Sequence, residues 1–194
     1  ADHSIDLGAS VFSFDDDGPS IDAEEVLAAD TFSVDESDLS SDAEHNFADN
    51  FTPAIDYGED GAGSVDYELV LNDTGSGVGS GLYAIDATDT DATDGDGYGQ
   101  GEQIIMTQSG DVITGSAGGT DYFTITLDPS TGDVELDQLA AIWHGDDSDH
   151  DDTETLTTTL ASDLQIKATV TDADGDTADH SIDLGASVFS FDDD

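Results

Sequence analysis

Residues 178–194 (ADHSIDLGASVFSFDDD) repeat residues 1–17 letter for letter, at an offset of 177 residues. Self-similarity at a fixed spacing marks an array, and this spacing far exceeds the roughly 20–50 residues of a solenoid repeat. The repeating unit is therefore long enough to be a whole domain. The expected organisation is residues 1–17 as the last strand and linker of a preceding unit. Residues 18–194 are then one complete unit that ends in the duplicate. An engineered overlap or a circular permutation would leave the same mark. In the array reading the partners are neighbouring identical units of the same chain. An array asks only length of each member, which points to a spacer rather than a shaped binding site.

Charge sets the second constraint. There are 48 acidic residues against a single base, Lys167, for a net charge of −47. Such a charge with modest hydrophobicity ordinarily means disorder, yet clean strand patterns run along the chain. Divalent cations resolve the conflict, because each removes two charges and ties loop carboxylates together. Cysteine is absent, so disulfides cannot staple the fold and metal is the staple that remains. Nucleic acid is excluded as a partner, since nothing here neutralises phosphates. Anionic membrane surfaces are disfavoured for the same reason. No apolar run reaches the ~18 residues of a spanning helix, so membrane insertion is not expected. A surplus of acid keeps a protein soluble in concentrated salt, which suits an extracellular, calcium-containing medium.

Period-two alternation predicts most of the strands. Leu164, Ile166, Ala168 and Val170 alternate with polar neighbours, turn through 172–176, and resume at Ile182 and Leu184 as a hairpin. Val65, Tyr67, Leu69 and Leu71 form another strand, followed by a Gly/Ser loop over 72–81. Residues 121–137 read as a hairpin around the Asp128-Pro129-Ser130-Thr131-Gly132 turn. Phe32 and Val34 mark a short strand, and 103–107 pairs with 111–114 across 108–110. The Thr-rich run 153–159 reads as an exposed strand rather than an ice-binding face. Residues 22–25 resemble a capping box that supports about one or two helical turns. Many short strands with turns between them predict an all-β fold, an antiparallel β-sandwich. In the duplicate, Ile182 and Leu184 are even-numbered but Phe189 and Phe191 odd. That change of parity near Gly185 requires a bulge, a switch between sheets, or two separate strands.

The acidic loops are the candidate sites, with Ca²⁺, several ions, as the expected cofactor. Asp172, Asp174 and Asp176 alternate around a Gly, so their oxygens converge on one hard cation that takes six to eight oxygen ligands. Position six is Thr177 and a strand follows, so this is not an EF-hand. Asp15, Asp16 and Asp17 precede a rigid Gly-Pro, and Asp192, Asp193 and Asp194 are their copies. Three adjacent carboxylates that repel one another favour an ion over a solvated linker. Asp89, Asp91, Asp94 and Asp96 lie in the 86–101 loop, which reads equally as an ion site or an unstructured insertion. Asp146, Asp147 and Asp149 lie in the run 144–152, where calcium or a solvated loop fits better than tetrahedral zinc. Asp56, Glu59 and Asp60 around Gly58 are a weaker candidate, and Glu36 is expected to join the junction between units.

No enzyme is expected. Carboxylate pairs occur throughout such a sequence and decide nothing about glycoside hydrolysis, and no phosphate-cradling motif is present.

The string TVTDADGDTADHSIDLGASVFSFDDDGPS, read across the repeat, resembles the junction between repeats in giant type I-secreted RTX (repeats-in-toxin) adhesins. Ser33-Val34-Asp35-Glu36-Ser37, the 60–67 stretch DGAGSVDY and 123–139 match the same repeat type in order. The acidic insertion at 86–101 departs from it. The resemblance implies a calcium-loaded, Ig-like β-sandwich that extends an adhesin from the bacterial cell surface, with ligand binding located in other domains. The rivals are a calcium-dependent carbohydrate- or ice-binding module and a polysaccharide-degrading enzyme.

Overall fold

The computed structural model describes residues 3–4, 17–90, 99–145 and 152–193. Among these residues the fold is all-β. The strands in chain order are β1 (Ser20–Ile21), β2 (Phe32–Asp35), β3 (Ala43–Asn46), β4 (Ile55–Asp56), β5 (Ala62–Leu71), β6 (Val78–Ile85) and β7 (Gln100–Ser109). They continue as β8 (Val112–Ala117), β9 (Thr120–Leu127), β10 (Asp133–Gln138), β11 (Thr153–Thr157), β12 (Leu164–Asp172), β13 (Thr177–Asp183) and β14 (Ala186–Asp192). One short α-helix, α1 (Ala48–Phe51), lies between β3 and β4 and runs on into a 3-10 turn at Thr52–Ala54.

The expected alternation is realised in β12. Leu164, Ile166, Ala168 and Val170 are buried while their odd-numbered neighbours face outward. β12 is the middle strand of a sheet ordered β13-β12-β5, and the only base of the chain, Lys167, pairs across it with Glu68 on β5. A six-stranded sheet runs β3-β10-β9-β8-β7-β6, and a third sheet runs β11-β14-β2. All pairings are antiparallel except β14 with β2, which is parallel. β2 lies beside β3, and β11 beside β6, so the sheets curl around one shared core. Within it Phe191 of β14 meets Phe123 of β9 at 5.4 Å between ring centroids, and Phe189 meets Phe32 at 5.0 Å.

The parity change in the duplicate is a switch between sheets. β13 pairs with β12, whereas β14 lies between β11 and β2. Gly185 is the pivot: its N–H donates to Ala161 O (3.1 Å) and its carbonyl accepts from Thr158 N (2.9 Å). A Cβ at this position would lie 2.1 Å from Thr158 Oγ1 and 2.7 Å from the Ala161 carbonyl. The second contact is with backbone, which cannot rotate away. Gly185→Ala is therefore expected to destabilise the domain by about 3 kcal/mol, the upper range for overpacking a tight site. Urea unfolding would measure it as a lower midpoint at unchanged slope.

Two local expectations are corrected. The loop after β5 is only 72–77, because β6 begins at Val78 despite its two glycines; its alternate residues Ser80, Leu82 and Ala84 are buried. Residues 22–25 form a turn without helix, and the helix lies at Ala48–Phe51 instead. Its Phe51 is fully buried, so packing rather than propensity holds so short a segment. Among the described residues no helix is long and apolar enough to cross a membrane.

Candidate metal centre

The period of β12 carries one residue further than the apolar run. Asp172 shares the inward parity of Val170, so the strand delivers a carboxylate to the end of the core at 3% exposure. Its Oδ1 accepts from the N–H groups of Gly175 (2.9 Å) and Asp176 (2.8 Å) as the chain turns into β13. Its Oδ2 is buried and accepts no hydrogen bond. A buried oxygen without a partner costs free energy unless something else satisfies it.

The β5 edge supplies more carboxylate. Ala173 N donates to Gly61 O (3.0 Å), which draws the turn before β5 against the 172–176 loop. Oxygens of Asp60, Asp172 and Asp174 thereby lie within 4.8 Å of one another. Burial pushes the Asp172 carboxyl up. A hydrogen bond shared with the Asp174 carboxyl, and those from the N–H groups of Gly175, Asp176 and Asp174, outweigh it and hold the group below the usual aspartate value of 3.8. Three carboxylates this close either share protons or share a cation. A hard divalent ion that takes oxygen ligands would satisfy the Asp172 Oδ2 orphan and relieve the repulsion at once. Because the folded pKa is depressed, this carboxylate stabilises the fold above the unfolded value. Its contribution is lost as pH falls through the folded one. Melting temperature is therefore expected to drop on acidification below about pH 4, with a shallower drop in Asp172→Asn.

The chain enters beside this cluster. A Cβ on Gly58 (φ 70°) would lie 2.0 Å from the Asp17 carbonyl, so glycine alone lets the entering chain pass there. A Cβ on Gly18 would lie 3.6 Å from Asp176 Oδ2. Asp17 and Gly18 thus lie against Gly58 and Asp176, with Asp60, Asp172 and Asp174 adjoining in the same two loops. Asp15 and Asp16 lie outside the described residues.

Glu36 is placed elsewhere. It follows β2, and its Oε1 accepts from Gln138 Nε2 (2.7 Å) and Ile142 N (2.8 Å). His144 Nε2 lies 3.4 Å from the same oxygen, with both side chains nearly buried. Burial pushes the His144 imidazole down, but Glu36, with Asp193 and Glu154 behind it, wins and holds it above its ordinary 6.5. Charged His144 therefore stabilises the fold below the unfolded value, and that stability is lost as pH rises through the raised one. Stability is expected to decline above about pH 6.5; melts of Glu36→Gln across pH 6 to 9 should lose most of that slope. Glu36, Ile142 and His144, with Asp193 and Asp89, line a cleft of about 520 Å³. The expectation that Glu36 sits with the 172–176 loop is corrected: parallel pairing of β2 with β14 carries it to the exit end beside Asp193.

The other candidates divide as follows. Asp192 accepts from Thr153 Oγ1 (2.6 Å), and Asp193 from Asp152 N (2.7 Å), which seats the exit. Asp89 accepts from Gly99 N (3.0 Å) at the neck of the acidic loop. Asp91, Asp94, Asp96, Asp146, Asp147, Asp149 and Asp194 lie outside the described residues. Many further aspartates serve the backbone. Asp22, Asp35, Asp38, Asp56, Asp73, Asp86 and Asp128 each accept the N–H two residues on. These seven Asx turns give part of the acid content a backbone role without metal, and the Asp-x-Ser/Thr/Gly spacing announces most of them. Sequence reasoning weighed His144 only as part of the 144–152 run, because its partner Glu36 is remote in the chain.

A family described as a domain of unknown function (DUF5801) matches residues 31–185. No curated protein and no solved structure matches the chain.

Proposed function

The chain belongs to the DUF5801 family, and we propose that it is a structural extender of a bacterial cell-surface adhesin, folded and rigidified by calcium. In this reading the curled sheets are a calcium-stabilised Ig-like sandwich, exported by type I secretion, without catalytic activity. Neighbouring units in the same chain hold the ligand-binding domains away from the cell. The observation that carries the reading is the coupling of the repeat to the carboxylate cluster. The copy that ends one unit leads into Gly18 of the next, and Gly18 lies against the loop bearing Asp172, Asp174 and Asp176. Calcium bound there would fix the point at which one unit hands the chain to the next.

Length tests the proposal. A unit of 177 residues has a diameter of about 40 Å. In calcium, small-angle scattering from chains of two and four units should show the maximum dimension growing by about 40 Å per unit. Growth with the square root of unit number, as for beads on flexible linkers, would overturn the extender reading.

A further inference from the structure

The duplicate defines the geometry of the joint between units, an inference that rests on the tandem reading above. In an array the residue after Asp194 is Gly18 of the next unit, and Asp194 holds the sequence place of Asp17. Both flanks of that junction are seated. On the leading unit, Asp193 accepts from Asp152 N (2.7 Å) and donates its own N–H to Asp152 O (3.1 Å). On the following unit, the carbonyl before Gly18 lies against Gly58, and Gly18 lies against Asp176. Two Cα steps separate the anchored Asp193 from the anchored Gly18, a reach of about 7 Å. In such an array that reach leaves no room for a free linker, so the surface around Asp193 would face the surface around Gly58 of the next copy.

The surface around Asp193 is the 520 Å³ cleft. It has an apolar wall of Ile85, Ile142 and Trp143, in which Ile85 is 52% exposed. Its acids are largely engaged at home, Glu36 by His144 and backbone, Asp86 by Thr88, and Asp89 by Gly99. The surface that arrives is the turn 57–61, which carries Tyr57 beside Gly58. We infer that the cleft is a socket for a second copy of this chain, filled in the array by the 57–61 turn of the following unit. Successive units then abut directly, and only the last cleft of an array stays open.

Trp143 is the only tryptophan of the chain and reports on the socket. In a two-unit chain, made by continuing residue 194 into a further copy of 18–194, Trp143→Phe in one unit or the other leaves one reporter. With calcium saturating, acrylamide should quench the leading Trp143 about twofold less than the trailing one, because a packed contact excludes solvent. A short Gly-Ser insertion before the second Gly18 should abolish the difference, as should Ile85→Asp in the leading unit, where the exposed side chain leaves folding intact. Equal quenching of the two reporters in the uninterrupted chain would overturn the socket and leave calcium-dependent folding standing. Persistence of the difference through the linker insertion would overturn it as well. Failure of the single unit to respond to calcium would instead strike the extender reading.

Discussion

Chelating divalent ions with EDTA at low salt is expected to lower the melting temperature by tens of degrees or to unfold the chain. The chain must fold against a net charge of −47 without a disulfide. An ion that binds only the native state, at 100 times its Kd, contributes about 2.7 kcal/mol. In a domain of this size each kcal/mol moves the midpoint by about 2–4 °C, so one site accounts for about 5–11 °C. Four or five such sites would supply roughly 11–14 kcal/mol, comparable with the whole stability of an ordinary domain. The size of the fall therefore counts the ions. Asp172→Asn, which removes the buried carboxylate of the Asp60–Asp172–Asp174 cluster, should lose more stability in calcium than in EDTA, by about one such increment. An unchanged melt in EDTA at low salt would sink calcium-dependent folding.

Phe191→Ala is expected to be the most damaging single substitution in the duplicate. The side chain is fully buried and its ring lies 5.4 Å from that of Phe123, across from the six-stranded sheet. Truncating a buried phenylalanine costs about 3–5 kcal/mol through lost transfer and the cavity left behind. The midpoint should fall by about 6–20 °C. Ile85→Ala, at 52% exposure, is the control and should change stability by no more than about 0.5 kcal/mol. Phe14 has the same sequence surroundings as Phe191 but lies outside the described residues. If 1–17 belongs to the preceding unit, its sheet partners are not in this chain. Phe14→Ala should then cost less than about 1 kcal/mol. Equal losses for Phe14→Ala and Phe191→Ala would show that the boundary between units is misplaced.

Strands whose alternation is clean, β5, β9, β10, β12 and β13, were legible because burial of one face leaves a period of two in the residues themselves. β6 was not legible: Gly79 and Gly81 interrupt the pattern. One of them admits a neighbour, since a Cβ on Gly81 would lie 2.6 Å from the Thr157 carbonyl. Nor was β3, whose four residues are too few to show a period and are held by pairing with β10. The candidate site divides the same way. Alternating carboxylates made the 172–176 loop conspicuous, while Asp60 looked weaker because what recruits it is a contact with a remote strand.

By itself the sequence determined the all-β class, the duplicated segment with its offset of 177 residues, and the inward parity of Leu164, Ile166, Ala168 and Val170. Each of these is a property of neighbours along the chain. Tertiary structure alone decided that Gly185 moves the chain from one sheet to another, that Asp60 joins Asp172 and Asp174, and that Glu36 faces His144 at the exit. Those outcomes depend on residues far apart in sequence meeting in space, and local periodicity carries no record of which distant strand will lie alongside.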